Sequence, residues 1–66
     1  MPFLILNGKR CETHATDLLT LFSELDLPVA LLLVEYNGTA LHRSEWSSIK
    51  LSEGDRLELL MMSAGG

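Results

Sequence analysis

The sequence predicts an α+β fold in which a mixed sheet of four to five strands carries one main helix on one face. Three observations lead to this class. The chain opens with an apolar run that ends at Asn7-Gly8, the strongest short-range signal for a β-hairpin. Leucines at helical spacing follow. Apolar runs separated by turn residues then fill the second half. A hairpin, a crossover helix and further strands pack together as two layers.

Length and composition fit one small domain. The 66 residues are predicted to divide into a domain at residues 1–62 and a flexible tail at residues 63–66. Apolar residues make up 47% of the chain, enough for a core, and the 21% of charged residues argues against disorder. Cys11 is the single cysteine, so packing rather than a disulfide must hold the fold.

Turn signals divide the chain into strands. Asn7-Gly8, Asn37-Gly38 and the segment 52–55 are the predicted turns. A short turn or 3₁₀ segment at residues 44–48 carries Trp46. The predicted strands are Phe3–Leu6, Lys9–His14, Val29–Tyr36, Thr39–Arg43 and Arg56–Ser63.

One helix is predicted over residues 16–27. Thr16 is the expected N-cap, Asp17 suits the positive end of the helix dipole, and Pro28 stops the helix. The apolar stripe that should face the core consists of Leu18, Leu19, Leu21, Phe22 and Leu25.

The first and last strands are nearly continuous apolar runs, as expected for strands at the centre of a sheet. Right-handed connections and the short length leave few topologies. The compact solution is a ubiquitin-like β-grasp, in which the two terminal strands lie side by side.

Charge and hydropathy exclude several function classes. Nine acidic and five basic residues give a net charge of −4, without the basic cluster that nucleic-acid binding needs. The apolar runs are too short for a signal peptide or a membrane span. We therefore expect a cytoplasmic protein that meets protein partners.

Residues able to bind metal or to catalyse are few. Cys11 and His14 should point to opposite faces of one strand, which disfavours a shared metal ion, and His42 lies far along the chain. Glu53 and Asp55 flank a turn glycine and are expected to be solvated. No metal site, catalytic residue or intrinsic cofactor is predicted.

The last strand offers a candidate docking surface. By alternation, Leu57, Leu59 and Met61 should face the helix, and Arg56 should share the outer face with the proposed docking residues. A central strand buried on both faces is the alternative. The predicted patch for a partner consists of Glu58, Leu60 and Met62.

The chain ends in Ser63-Ala64-Gly65-Gly66. Four extended residues reach roughly 13 Å, and glycine has the smallest cross-section of any residue. Ala64, Gly65 and Gly66 could thread into a narrow active site of a partner. Ordinary fraying or an expression scar is the alternative.

The residues that carry a family resemblance lie mainly in the C-terminal half. They are Asn37-Gly38, Arg43-Ser44-Glu45-Trp46, Glu53-Gly54-Asp55-Arg56 and Ala64-Gly65-Gly66. In these, the chain resembles the ThiS-type sulfur carriers of thiamine biosynthesis, which have the β-grasp fold. His42 and Ser44 depart from that family's usual proline and glutamate.

The resemblance implies a carrier that is a substrate rather than an enzyme. An adenylating enzyme would use ATP and magnesium to activate the Gly66 carboxylate. Sulfur supplied through a cysteine desulfurase would convert it to a thiocarboxylate, and thiazole synthase would accept that sulfur. The small subunit of molybdopterin synthase, a protein modifier joined through Gly66, and a β-grasp interaction module without a reactive tail remain the alternatives.

Overall fold

The computed structural model describes residues 2–62 and confirms the predicted α+β class. Residues 63–66, the predicted tail, lie outside the described residues. One sheet of five strands carries a single α-helix within the described range, together with two 3₁₀ helices, Val29–Leu31 and Arg43–Ser48. The other elements are β1 (Phe3–Leu6), β2 (Lys9–Glu12), α1 (Leu18–Glu24), β3 (Leu32–Tyr36), β4 (Thr39–Ala40) and β5 (Arg56–Met61).

The strand order is β2-β1-β5-β3-β4. β1 and β5 are parallel neighbours, with Ile5 opposite Arg56 and Leu6 opposite Leu57. The remaining pairs, β1 with β2, β3 with β4 and β3 with β5, are antiparallel. The prediction that the first and last strands lie side by side at the centre is therefore confirmed.

Both Asn-Gly pairs form the predicted hairpin turns. Asn7 and Gly8 have φ of 50° and 80°, and Asn37 and Gly38 have φ of 49° and 85°. Two successive residues with positive φ define the type I′ turn, whose twist matches that of the strands it joins.

The helix is shorter than predicted at its N-terminus. Asp17, rather than Thr16, is the N-cap, and its Oδ1 accepts a hydrogen bond of 2.8 Å from the amide of Thr20. Thr16 instead belongs to the approach to the helix, where its carbonyl accepts from Leu51 N–H at 3.0 Å. The prediction chose the wrong capping residue because threonine and aspartate are both common caps.

The helix also ends before Pro28 becomes relevant. Asp26 has a φ of 53°, and its amide bonds the carbonyl of Ser23 while Leu27 N–H bonds that of Phe22, both at 3.1 Å. These two bonds form a Schellman motif, which closes a helix through a left-handed residue. Aspartate tolerates this conformation better than most residues.

The core lies between α1 and the inner face of the sheet. Leu19, predicted to belong to the core stripe, is 46% exposed because it lies about 100° around the helix from Leu18. Leu25 packs at the margin of the core. The buried apolar residues are Leu4, Leu18, Leu21, Phe22, Leu32, Val34, Trp46 and Leu57.

Three predicted strands extend too far. β2 ends at Glu12, and the next residue, Thr13, is buried with its hydroxyl donating a hydrogen bond of 2.8 Å to Glu24. The segment 29–31 forms a 3₁₀ turn, and the return strand at Thr39 stops at Ala40. β5 is assigned to Met61, and the predicted end at Ser63 lies outside the described residues.

Arg43 and Trp46 link the second 3₁₀ helix to the remainder of the fold. The Arg43 guanidinium stacks on the Trp46 ring, 4.5 Å from its centroid. It also donates to the carbonyl of Val29 at 2.6 Å. Trp46 packs edge-on against Phe22 with centroids 5.1 Å apart. The Arg-x-x-Trp pattern therefore stabilises the fold, with the arginine satisfying backbone carbonyls beside β3.

No helix within residues 2–62 is long and apolar enough to cross a membrane.

Candidate functional site

β5 holds the predicted reactive tail, since it is the strand that leads to residues 63–66. It lies between β1 and β3, and Leu57 on its inner face is fully buried. Near its end, Met62 N–H donates a hydrogen bond of 2.7 Å to the carbonyl of Leu31. Ala64, Gly65 and Gly66 lie outside the described residues, and their role stays a prediction.

Asn7 extends the support of β5 beyond the end of β1. Its Nδ2 donates to the carbonyl of Leu59 at 3.2 Å, and its Oδ1 accepts from the amide of Leu59 at 2.6 Å. The side-chain amide therefore replaces the next residue of a neighbouring strand. The sequence marked Asn7 only as a turn residue.

Replacing Asn7 by glycine should loosen the end of β5. Asn7→Gly keeps the positive φ but removes both hydrogen bonds to Leu59, so we expect a loss of about 1–2 kcal/mol in the free energy of unfolding. Amide exchange at Leu59 should accelerate. Asn7→Asp, which keeps the acceptor but not the donor, should give an intermediate rate. Unchanged exchange in Asn7→Gly would show that these bonds do not hold the strand.

The outer face of β5 is open to solvent, as predicted. Leu60 is 65% exposed and Met62 is 43% exposed, and the Glu58 side chain is also exposed. The alternative of a strand buried on both faces is therefore wrong. Met61, predicted to face the core, is 54% exposed, because β1 has already turned away at Asn7 and leaves one side of Met61 without a strand.

Two neighbours on β3, which the sequence reasoning missed, complete this surface. Leu33 lies opposite Leu60 and Glu35 lies opposite Glu58 in the antiparallel register. Leu33 is 47% exposed. The sequence gives little sign of this, because Leu33 lies in a continuous apolar run, whereas in the structure Leu32 and Val34 are buried while Leu33 and Glu35 are not. A groove of about 410 Å³ is lined by Leu33, Val34, Glu35, Ala40, Leu41, Glu58 and Leu60.

Asp55 is a structural residue, contrary to its prediction as a solvated turn residue. Its carboxylate accepts hydrogen bonds from the Tyr36 hydroxyl and the Ser52 amide, each at 2.7 Å, and from Asn37 Nδ2 at 3.2 Å. Burial by itself would raise the pKa of Asp55, but these bonds outweigh it and hold the pKa below the ordinary 3.8. The bond to Asp55, followed by burial, raises the pKa of Tyr36 above 10.0.

This network fixes the start of β5 from the β3 side. Asn37 Oδ1 accepts from the amide of Arg56 at 2.8 Å, much as Asn7 binds Leu59 from the β1 side. A second groove of about 350 Å³ lies beside it, lined by Glu35, Asn37, Gly38, Arg56 and Glu58. Glu35 and Glu58 therefore border both grooves.

Residues 2–62 bring together no group of three histidine, cysteine, aspartate or glutamate side chains that could hold a metal ion. Cys11 is half-buried, and Glu53 is exposed in its turn. Both described grooves are open; the larger one is lined by apolar and acidic side chains, and the smaller one by polar and charged side chains. Such a surface suits contact with another protein better than enclosure of a small substrate.

Comparison with known proteins identifies related chains. The family model described as "ThiS family" matches residues 4–66. An uncharacterized protein, ycf40 of Trieres chinensis, is 28% identical over 64 residues, which cover 97% of this chain and 88% of that protein.

Two solved structures of a thiamine biosynthesis protein from Geobacter metallireducens are also similar. The crystal structure, of a protein named ThiS, has a TM-score of 0.82 at 28% identity and covers 97% of this chain and 99% of the other. The solution NMR structure has a TM-score of 0.77 at 30% identity, covering 100% and 88%.

Proposed function

This chain belongs to the ThiS family, and from that membership we propose that it carries sulfur for thiamine biosynthesis on the carboxylate of Gly66. The observation that carries the proposal is the extent of the family match, which runs through residue 66 and so includes the whole tail. The body formed by residues 2–62 then acts as a handle that partner proteins recognise. The chain is a substrate of these partners and not itself a catalyst.

The chemistry follows from the low reactivity of a carboxylate. One oxygen of Gly66 attacks the α-phosphorus of ATP on an adenylating enzyme, which forms an acyl-adenylate and releases pyrophosphate. A persulfide, formed on a cysteine desulfurase as cysteine is converted to alanine, then forms the C–S bond through its terminal sulfur as the C–O bond to AMP breaks. A thiol reductant cleaves the S–S bond of the resulting acyl disulfide and releases the sulfur-loaded chain. The product is a C-terminal thiocarboxylate, from which thiazole synthase takes sulfur. ATP and magnesium are used by the activating enzyme.

Glycine at the last two positions suits this route. A tail that enters an enclosed site must bring its carboxylate within bonding range of ATP, and a 1 Å misplacement can cost about a hundredfold in rate. Gly65 and Gly66 have no Cβ to meet the walls of such a site. Magnesium on the partner also neutralises the developing phosphate charge.

The acceptor is proposed to be thiazole synthase rather than molybdopterin synthase. Both solved relatives are named thiamine biosynthesis proteins, which favours the thiazole branch. The two branches share the thiocarboxylate, so only transfer to the acceptor separates them.

Intact mass spectrometry tests the proposal. The purified chain is incubated with an adenylating enzyme of the ThiS pathway, magnesium, ATP, a cysteine desulfurase, cysteine and a thiol reductant. We expect a mass gain equal to the replacement of one oxygen by sulfur, which fragmentation places on Gly66 and which requires ATP. An unchanged mass with an enzyme that modifies another ThiS protein would contradict the proposal. Addition of thiazole synthase with its substrates should return the original mass.

A further inference from the structure

The outer face of the sheet places two glutamates directly opposite each other. Glu35 on β3 and Glu58 on β5 are cross-strand partners, and the adjacent outward pair is Leu33 with Leu60. The Cβ atoms of such partners lie about 4.5–5.5 Å apart, and like charges at this position destabilise a sheet. The fold therefore keeps a local repulsion at an exposed position, where many other residues would fit.

No ion pair or hydrogen bond within residues 2–62 neutralises either carboxylate. Among residues 2–62 the one ion pair joins Arg10 to Glu12 on β2. The hydrogen bonds of the same residues involve neither the Glu35 nor the Glu58 carboxylate. Arg56 lines the groove that these two glutamates border, but it forms no ion pair with either.

The two carboxylates lie between an apolar groove and a polar groove. On one side lies the groove of about 410 Å³ with Leu33, Leu41 and Leu60. On the other lies the groove of about 350 Å³ with Asn37, Gly38 and Arg56. A pair of negative charges thus stands at the border between an apolar and a polar depression. A partner surface complementary to this arrangement would carry one cationic side chain next to an apolar side chain.

We propose that this face docks a protein that inserts an arginine or lysine side chain between Glu35 and Glu58. Apolar neighbours of that basic residue contact Leu33 and Leu60. A cation placed between two carboxylates attracts both of them. Binding therefore relieves the electrostatic repulsion that destabilises the free protein. The identification of this protein as the adenylating enzyme rests on the proposed function, but the basic and apolar character of the partner does not.

A second copy of this chain is a poor occupant of the same face. A two-fold contact is self-complementary, so it would bring two Glu35 and two Glu58 side chains together. Four carboxylates in a partly desolvated contact oppose association, and the net charge of −4 adds to this repulsion. We therefore expect the face to remain free until a basic partner binds.

An NMR titration with short peptides tests the chemistry of the surface directly. The probes are acetyl-Leu-Arg-Leu-amide and the matched acetyl-Leu-Gln-Leu-amide, added to ¹⁵N-labelled protein up to millimolar concentration. We expect only the arginine peptide to shift the amides of Leu33, Glu35, Glu58 and Leu60 in a saturable way. Equal shifts from both peptides, shifts centred elsewhere, or no shifts would overturn the proposal.

Charge-matched variants locate the interaction. Glu35→Gln/Glu58→Gln should weaken binding of the arginine peptide about tenfold or more and raise the melting temperature of the free protein, since it removes the repulsion. Glu12→Gln/Glu53→Gln changes the net charge equally at other exposed acids and should leave the peptide affinity unchanged. Equal weakening in both variants would mean that net charge, and not this pair, attracts the peptide.

A second arm uses the adenylating enzyme. Glu35→Gln/Glu58→Gln and Leu60→Glu should each need more enzyme for the same mass gain, and should reach the wild-type extent at saturation. Equal enzyme requirements in wild type and both variants would overturn the assignment of this face to that partner, while the proposed function stands. If wild type itself gains no mass, the proposed function fails, and the peptide titration still decides the docking proposal.

Sedimentation gives the remaining outcome. Wild type should sediment as a monomer, and a dimer that Leu60→Glu dissociates would show that a second copy occupies the face.

Discussion

Deletion of Gly66 should abolish thiocarboxylate formation and leave the fold unchanged. Within residues 2–62, every buried apolar residue lies between Leu4 and Leu57, and we expect the melting temperature to match that of wild type. The terminal carboxylate, however, moves back along the chain by about 3.3 Å. Since a 1 Å displacement of a reacting group can cost about a hundredfold in rate, intact mass after incubation with the adenylating enzyme should show no sulfur gain.

A chain extended by one alanine after Gly66 is the matched control. It moves the terminal carboxylate outward by about 3.3 Å and places it on alanine instead of glycine, so it should be equally inactive. Both variants should still compete with wild type for the adenylating enzyme, because the sheet face is intact. If the chain were a β-grasp interaction module with an inert tail, neither change should alter its function. Full sulfur gain in either variant would contradict the carrier proposal.

Leu57→Ala should remove a large share of the protein's stability. Leu57 is fully buried on the inner face of β5, between β1 and β3. Truncation of a buried leucine to alanine costs about 2–5 kcal/mol. A domain of this length has a total stability of only about 3–10 kcal/mol. Urea denaturation followed by circular dichroism should show a large fall in the midpoint.

Leu60→Ala provides the control on the same strand. Leu60 is 65% exposed, so its truncation should change the free energy of unfolding by no more than about 0.5 kcal/mol. A similar loss of stability in both variants would mean that the outer face of β5 is covered in solution. The comparison of these two variants distinguishes the inner face of β5, which stabilises the fold, from the outer face, which is available to partners.

Local signals in the sequence predicted the framework of the fold. Asn-Gly at residues 7–8 and 37–38 marked both hairpins, because only a few residue types tolerate two successive positive φ values. The apolar character of β1 and β5 placed them at the centre of the sheet. These features depend on neighbouring residues or on simple alternation, which a single sequence displays directly.

The features that the sequence did not reveal depend on contacts between distant segments. Asp55 looks like any polar turn residue until Tyr36 and Asn37 are brought beside it. The helix start is a different case, because aspartate is the stronger N-cap residue and propensity alone already favoured Asp17 over Thr16.

The candidate site was predicted only in part for the same reason. Glu58, Leu60 and Met62 could be placed on the outer face from alternation within β5 alone. Leu33 and Glu35 join them only through the register between β3 and β5, and a one-residue shift in register would have turned them inward.

The parallel pairing of β1 with β5 determines when the sheet can form during synthesis of the chain. β1 leaves the ribosome before β5, its neighbour in the sheet, and the chain between them must close a loop before the sheet is complete. The β1–β2 hairpin alone is at best marginally stable in water. A chain interrupted before β5 therefore lacks its central strand and stays open to proteases. The domain can therefore fold only after β5, the strand that precedes residues 63–66, has been synthesised.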